Sequence, residues 1–149
     1  VASDVPAGWL ASLVTENAAA WLSVLQRPDV RRRTSEDRWS ALEYACHVRD
    51  VYRTIDERLS LMLAEDDPNF LNWDQDATAI EQRYDLQDPA EVGPALLAAA
   101  TQLASRLDGV EPAQWTRPGT RSNGSHFTVE SLGRYGLHDV VHHLADVGG

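Results

Sequence analysis

The sequence predicts an all-α protein, a four-helix bundle, and three observations support that prediction. Four long stretches place apolar residues at helical intervals, and clusters of Pro, Gly, Asp and Asn separate them. No stretch alternates apolar and polar residues as a half-buried strand would, and no internal repeat or low-complexity segment is present.

The first long helix is expected from Pro6 to Gln26, with Trp9, Leu10, Leu13, Trp21, Leu22 and Leu25 at helical intervals and Arg27-Pro28-Asp29 as its stop. The second starts at Ser40, where Glu43 completes a capping box, and runs to about Glu65 with Ala45, Val48, Tyr52, Ile55, Leu59 and Met62 as its apolar stripe. Asp66-Asp67-Pro68-Asn69 ends it. A long connection follows, containing Asn72-Trp73-Asp74-Gln75-Asp76 and a short helix over Ala77 to Tyr84. The third long helix opens at Asp88-Pro89-Ala90-Glu91, an N-cap followed by proline in the first turn, and closes near Asp108-Gly109. Pro112 to Gly124 is rich in turn residues and has room for a small hairpin. Thr128 caps the fourth long helix, which ends at Gly148-Gly149.

The 149 residues suit one domain, spanning 1–149, and the 43% hydrophobic and 24% charged fractions are those of a globular protein with an ordinary core. A net charge of −10 argues against a nucleic-acid partner, which would call for a basic footprint. The run Arg31-Arg32-Arg33 reads as a solvated loop, because Glu36 and Asp37 follow it at once. Every basic residue is arginine, which excludes Schiff-base and lysine general-base chemistry. The lone Cys46 excludes an intramolecular disulfide and points to a reducing, cytoplasmic compartment. Set between Ala45 and Val48, it reads as a packed core thiol. No apolar run approaches the ~20 residues of a membrane span and no signal peptide is visible. The chain begins at Val1 without a methionine, which leaves room for a processed N-terminal segment.

The chemistry is expected in His138-Asp139-Val140-Val141-His142-His143. His138 and His142, four apart, project from nearly one side of a helix and can share a transition metal, with His47 as the distant third ligand. On the helical wheel Val129, Leu132, Gly136, Val140, Leu144 and Val147 form the apolar stripe. His138 and His142 lie opposite its centre, and His143 lies near its edge. His47 shares a side with Glu43, Asp50 and Thr54, away from its own helix's stripe. Periodicity alone therefore makes His47, His138 and His142 surface residues, and a site requires their polar sides to line a cleft. An Asp139/His143 pair with His47 is chemically admissible too. Three imidazoles suit zinc or nickel and leave an open position, with Asp50 or Asp139 as orienting carboxylates. His126 reads as exposed. The run also resembles the zincin His-Glu-x-x-His signature, but Asp139 is a methylene shorter than glutamate and little chain remains to supply a third ligand.

Trp39-Ser40-Ala41-Leu42-Glu43-Tyr44-Ala45-Cys46-His47-Val48-Arg49-Asp50, then Asn72-Trp73-Asp74-Gln75-Asp76, then Leu137 through Val147 together resemble the DinB-like superfamily. Within it they are most similar to the actinobacterial branch related to mycothiol-dependent S-transferases and maleylpyruvate isomerase. The resemblance implies an up-down-down-up bundle, often a homodimer, holding a divalent metal on three side chains. By position these are His47, His138 and His142. In the isomerase relatives the first residue of the second pair is a glutamate, so His138 points to the all-histidine thiol-transferase type. The implied reaction joins a low-molecular-weight thiol, mycothiol-like given the arginine-only composition, to a small electrophile. A metal with an open position lowers a thiol's pKa so that it attacks as thiolate. Arg49, Arg53 or Arg134 would hold the cosubstrate, and Trp73 and Asp76 would cover the cleft. A thiol-independent metal hydrolase and a non-catalytic metal- or ligand-binding bundle are the alternatives.

Overall fold

Ser40 begins the second long helix as the capping box requires. It accepts a hydrogen bond from the Glu43 N–H at 3.1 Å, and its own N–H donates to the Glu43 carboxylate at 3.1 Å. The computed structural model describes residues 5–149. Its long helices are α1 (Leu10–Val24), α2 (Ala41–Ala64), α4 (Pro89–Asp108) and α5 (Val129–Asp146), with a short α3 (Gln75–Glu81) between α2 and α4.

Differences from the expected elements have local causes. A short 3-10 turn, Ala7–Trp9, precedes α1, and Trp9 is 60% exposed because it stands at the helix N-cap. The short helix starts two residues early because the Asp74 carboxylate accepts the Ala77 N–H at 3.0 Å. It ends before Tyr84 because Arg83 takes a left-handed conformation, φ 48°. The turn-rich segment does hold a hairpin, β2 (Pro118–Arg121) and β3 (His126–Thr128), turned through Gly124 at φ 91°. A two-residue strand, β1 (Asn69–Phe70), adds to β2 in parallel, Asn69 opposite Thr120. It is too short to show a period in sequence.

Each of α1 and α2 packs against both α4 and α5, so α1 and α2 sit across the bundle from one another. Helix directions follow from particular neighbours. A Cβ on Gly133 would meet Leu10 and Leu107, and Asn17 donates to the Val140 carbonyl, so α1 and α5 run the same way. Gly93, near the start of α4, faces Leu22 and Leu25 at the end of α1, so those two are antiparallel. His47 lies opposite Asp139 and Ile55 opposite Gly136, so α2 opposes α5. The bundle is therefore up-down-down-up.

Leu10, Val14, Trp21, Leu42, Leu59, Met62, Leu96, Leu132 and Val140 fill its core. Across the centre the Tyr52 hydroxyl donates to the Asn17 side chain, joining the diagonal pair α1 and α2. Cys46 is buried, which pushes its thiol up to about 12 and leaves it no reactive role. Arg117 ties the hairpin to the end of α2 through the Met62 and Glu65 carbonyls at 2.7 and 3.0 Å. Among the described residues no helix is long and apolar enough to cross a membrane.

Glu43 also binds Arg33, at 2.8 and 2.5 Å. Burial opposes its ionisation, but Arg33 and the Ser40 N–H and hydroxyl together hold its carboxyl below the usual range. A carboxyl depressed on folding contributes stability present above its unfolded pKa and lost as pH falls through its folded one. Urea midpoints measured below about pH 4.3 should therefore fall more steeply for the wild type than for Glu43→Gln.

Candidate metal centre

Helices α2 and α5 can meet closely because Gly136 has no side chain: a Cβ there would lie 2.8 Å from Ile55 Cγ1. One turn further along α5, Asp139 faces α2, and His143 follows it a turn later. The Asp139 carboxylate stands between two imidazoles, with His47 Nε2 at 3.3 Å from Oδ2 and His143 Nε2 at 3.4 Å from Oδ1. Among the described residues, one ligand atom from each of His47, Asp139 and His143 falls within 4.8 Å of the others.

Of the three ligands expected from the sequence, His47 belongs to this group, while His138 and His142 do not. Those two stack on the exposed side of α5 with ring centroids 6.5 Å apart, as the wheel placed them. Asp139 and His143 repeat the same four-residue spacing one position later, which turns the pair by about 100° toward α2. The signal available in the sequence was the position of His143 at the edge of the apolar stripe, where a helix meets its neighbour.

His47 is a correction to the wheel: it is wholly buried, not exposed. Trp73, from the connection after β1, stacks on its ring at 5.5 Å and 10°, and Trp39, from the segment before α2, lies at 5.4 Å. Both covering residues come from connections, which helical periodicity does not register. Trp73 is held there by its indole N–H, which donates to Thr78 at 2.8 Å.

Electrostatics favour an ionised carboxylate. Burial resists it, but hydrogen bonds and charge from His143 and His47 hold Asp139 far below the usual carboxylate range. His143 shows the converse: burial lowers its pKa, and Asp139 and Asp146 outweigh that and raise it. His143 Nδ1 lies 3.2 Å from Asp146, the outer carboxylate that commonly orients a metal-bound imidazole.

The donor set fits a divalent metal. His47 Nδ1 is buried without a hydrogen-bond partner among the described residues, so the polar satisfaction of this ring depends on Nε2. Two imidazoles and one carboxylate are a known ligand set for zinc and non-haem iron, with positions left open. Asp139 also lines a cleft of about 480 Å³ between α2, α5, the Trp73 connection and the hairpin, so the group borders space for a small molecule.

A sequence profile of the DinB superfamily matches residues 11–147. The chain belongs to the DinB superfamily. No curated protein matches its sequence. Among solved structures it is similar to YfiT from Bacillus subtilis, described as a probable metal-dependent hydrolase with an unusual four-helix bundle topology. The two share 19% sequence identity with a TM-score of 0.84 over 93% of this chain and 82% of that one. At that identity the likeness establishes the fold.

Other residues singled out in the sequence of this DinB-superfamily chain stand outside the three-residue group. Arg49 and Arg53 both bind Asp50, which also accepts the Tyr84 hydroxyl, so Asp50 orients no histidine of the centre. Arg134 pairs with Glu130 at 3.0 Å. Asp76 is exposed and lines a separate recess with Arg33 and Glu43. His126 is exposed on β3, beside Thr120 at 3.2 Å.

Proposed function

We propose that this DinB-superfamily chain is a metal-dependent enzyme whose ligands are His47, Asp139 and His143 and whose native ion is zinc. The observation behind this reading is the carboxylate set between two imidazoles from opposing helices, one of them wholly buried. A bound divalent ion supplies a Lewis acid and lowers the pKa of a coordinated thiol or water. The protein's part is to fix the donors. Asp146 orients His143, and Trp39 and Trp73 keep bulk water from His47.

For the nucleophile we propose a low-molecular-weight thiol of the mycothiol kind, transferred to a small electrophile in the cleft. The resemblance of the three sequence segments supports this. Thiol-independent hydrolysis is the second reading, favoured by the fold shared with YfiT, a probable metal-dependent hydrolase. A homodimer, as the resemblance implies, is proposed with both.

Elemental analysis of protein purified without chelator should give about one zinc per chain, with nickel or iron as the alternatives that it would reveal. Turnover of electrophiles that requires added thiol and stops on chelation would support the transferase. Ester or amide cleavage without thiol would support the hydrolase instead. Protein that takes up no divalent metal even on reconstitution would overturn both.

A further inference from the structure

We propose that Arg58 and Arg121 form an anion-binding subsite at the end of the α2/α5 cleft remote from the metal centre, and that the substrate is an elongated molecule bearing a carboxylate or phosphate. That the reacting atom sits at His47, Asp139 and His143 rests on the metal-enzyme reading; the anion site stands on its own residues.

Both arginines line the cleft that Asp139 borders. Arg58 is only 8% exposed. Its guanidinium lies over the Phe70 ring at 4.8 Å, and one of its N–H groups donates to the Leu71 carbonyl at 2.8 Å. Arg121 reaches in from the hairpin, braced by Asn123 at 3.2 Å, Ser125 at 3.3 Å and the Phe127 ring at 5.5 Å. Among the described residues neither forms an ion pair. Carboxylates are not scarce, since acidic residues number 23 against 13 arginines. Nor are the cleft's own acids at their disposal: Asp74 caps α3, and Asp139 serves the two histidines.

Holding two guanidinium groups in one recess is unfavourable unless something compensates. Burial lowers the pKa of Arg58, and the charge of Arg121 lowers it further. An anion between them would relieve that repulsion, and each guanidinium has a planar fork of donors suited to carboxylate or phosphate oxygens. Val51, Thr54 and Ile55 form the floor that connects the two ends. Arg58 follows His47 by three helical turns, roughly 16 Å along the axis at 1.5 Å per residue. The bound molecule must therefore be elongated, reaching from the metal end of the cleft to the arginines at the other.

The test is a titration of the ¹⁵N-labelled protein, as isolated, with sodium phosphate and separately with sodium succinate at constant ionic strength. The Trp73 indole N–H and the Arg58 and Arg121 Nε–H signals are followed. Saturable shifts are expected with at least one anion, and the tighter one identifies the class. Because Arg58 also holds the Leu71 carbonyl, Arg121→Gln is the deciding variant and should weaken binding about tenfold or more. Asp139→Asn should keep the anion response while losing metal. Absence of a saturable shift with either anion would overturn the subsite, as would unchanged affinity in Arg121→Gln. Anion binding lost in Asp139→Asn but kept in Arg121→Gln would put the anion on the metal, overturning the subsite and leaving the metal centre intact.

Discussion

Asp139→Ala is expected to bring the metal content of the purified protein close to zero, while His138→Ala and His142→Ala leave it unchanged. The carboxylate is both a proposed ligand and the group that holds the His47 and His143 rings toward one another. Loss of an outer-shell partner typically weakens metal binding about 10–100-fold, and loss of a ligand from a set of three should exceed that. The same substitution strands the buried His47 Nε2, at a further cost of about 1–3 kcal/mol in stability without metal. Elemental analysis and urea unfolding of the three variants separate these effects. Metal retained by Asp139→Ala and lost by His138→Ala would return the site to the His47, His138 and His142 set.

Gly136→Ala should lower stability and spread the centre at once. In an open helix the change would be favourable by about 1 kcal/mol, since glycine is a poor helix former. Here the added Cβ would lie 2.8, 3.3 and 3.5 Å from three atoms of Ile55, a buried, β-branched side chain with few rotamers to escape into. Overpacking of this kind costs about 1–3 kcal/mol, which leaves a net loss of up to about 2 kcal/mol. Relief requires α5 to move away from α2, which carries Asp139 and His143 away from His47. Metal affinity should fall along with the urea midpoint, and Ile55→Ala in the same chain, by removing the clash, should restore part of the affinity. A Gly136→Ala protein more stable than wild type, with unchanged metal affinity, would contradict the close approach.

The helices were legible because their ends are written in local chemistry. Ser40 with Glu43, Asp88 with Pro89, and Thr128 each provide a cap at the predicted start. The strand at Asn69–Phe70 was not legible, since its pairing with Thr120 and Arg121 depends on chain far away in sequence. The site divided in the same way. His47 was identifiable as one participant, but its burial depends on Trp39 and Trp73, whose positions no periodicity reveals. On α5 the spacing pointed to two overlapping pairs, and only the direction of approach of α2 distinguishes them. The arginines differed for a similar reason: Arg49, Arg53 and Arg134 find carboxylates close by in sequence, whereas Arg58 and Arg121 meet only across the fold.

Placing α1 diagonally from α2, and α4 diagonally from α5, has an evolutionary consequence. Residues 25–40 and 109–128 must each cross an end of the bundle, and residues 65–88 must travel between α2 and α4. These crossings deliver Trp39 to the His47 ring and Trp73 and Arg121 to the cleft, whereas His47, Asp139 and His143 stand on rigid helices. Insertions and exchanges in the crossings can thus alter which molecule is admitted while the reactive centre stays in register. The scaffold separates what is selected from what is done to it, a division that lets one reaction centre be retuned to new molecules without being rebuilt.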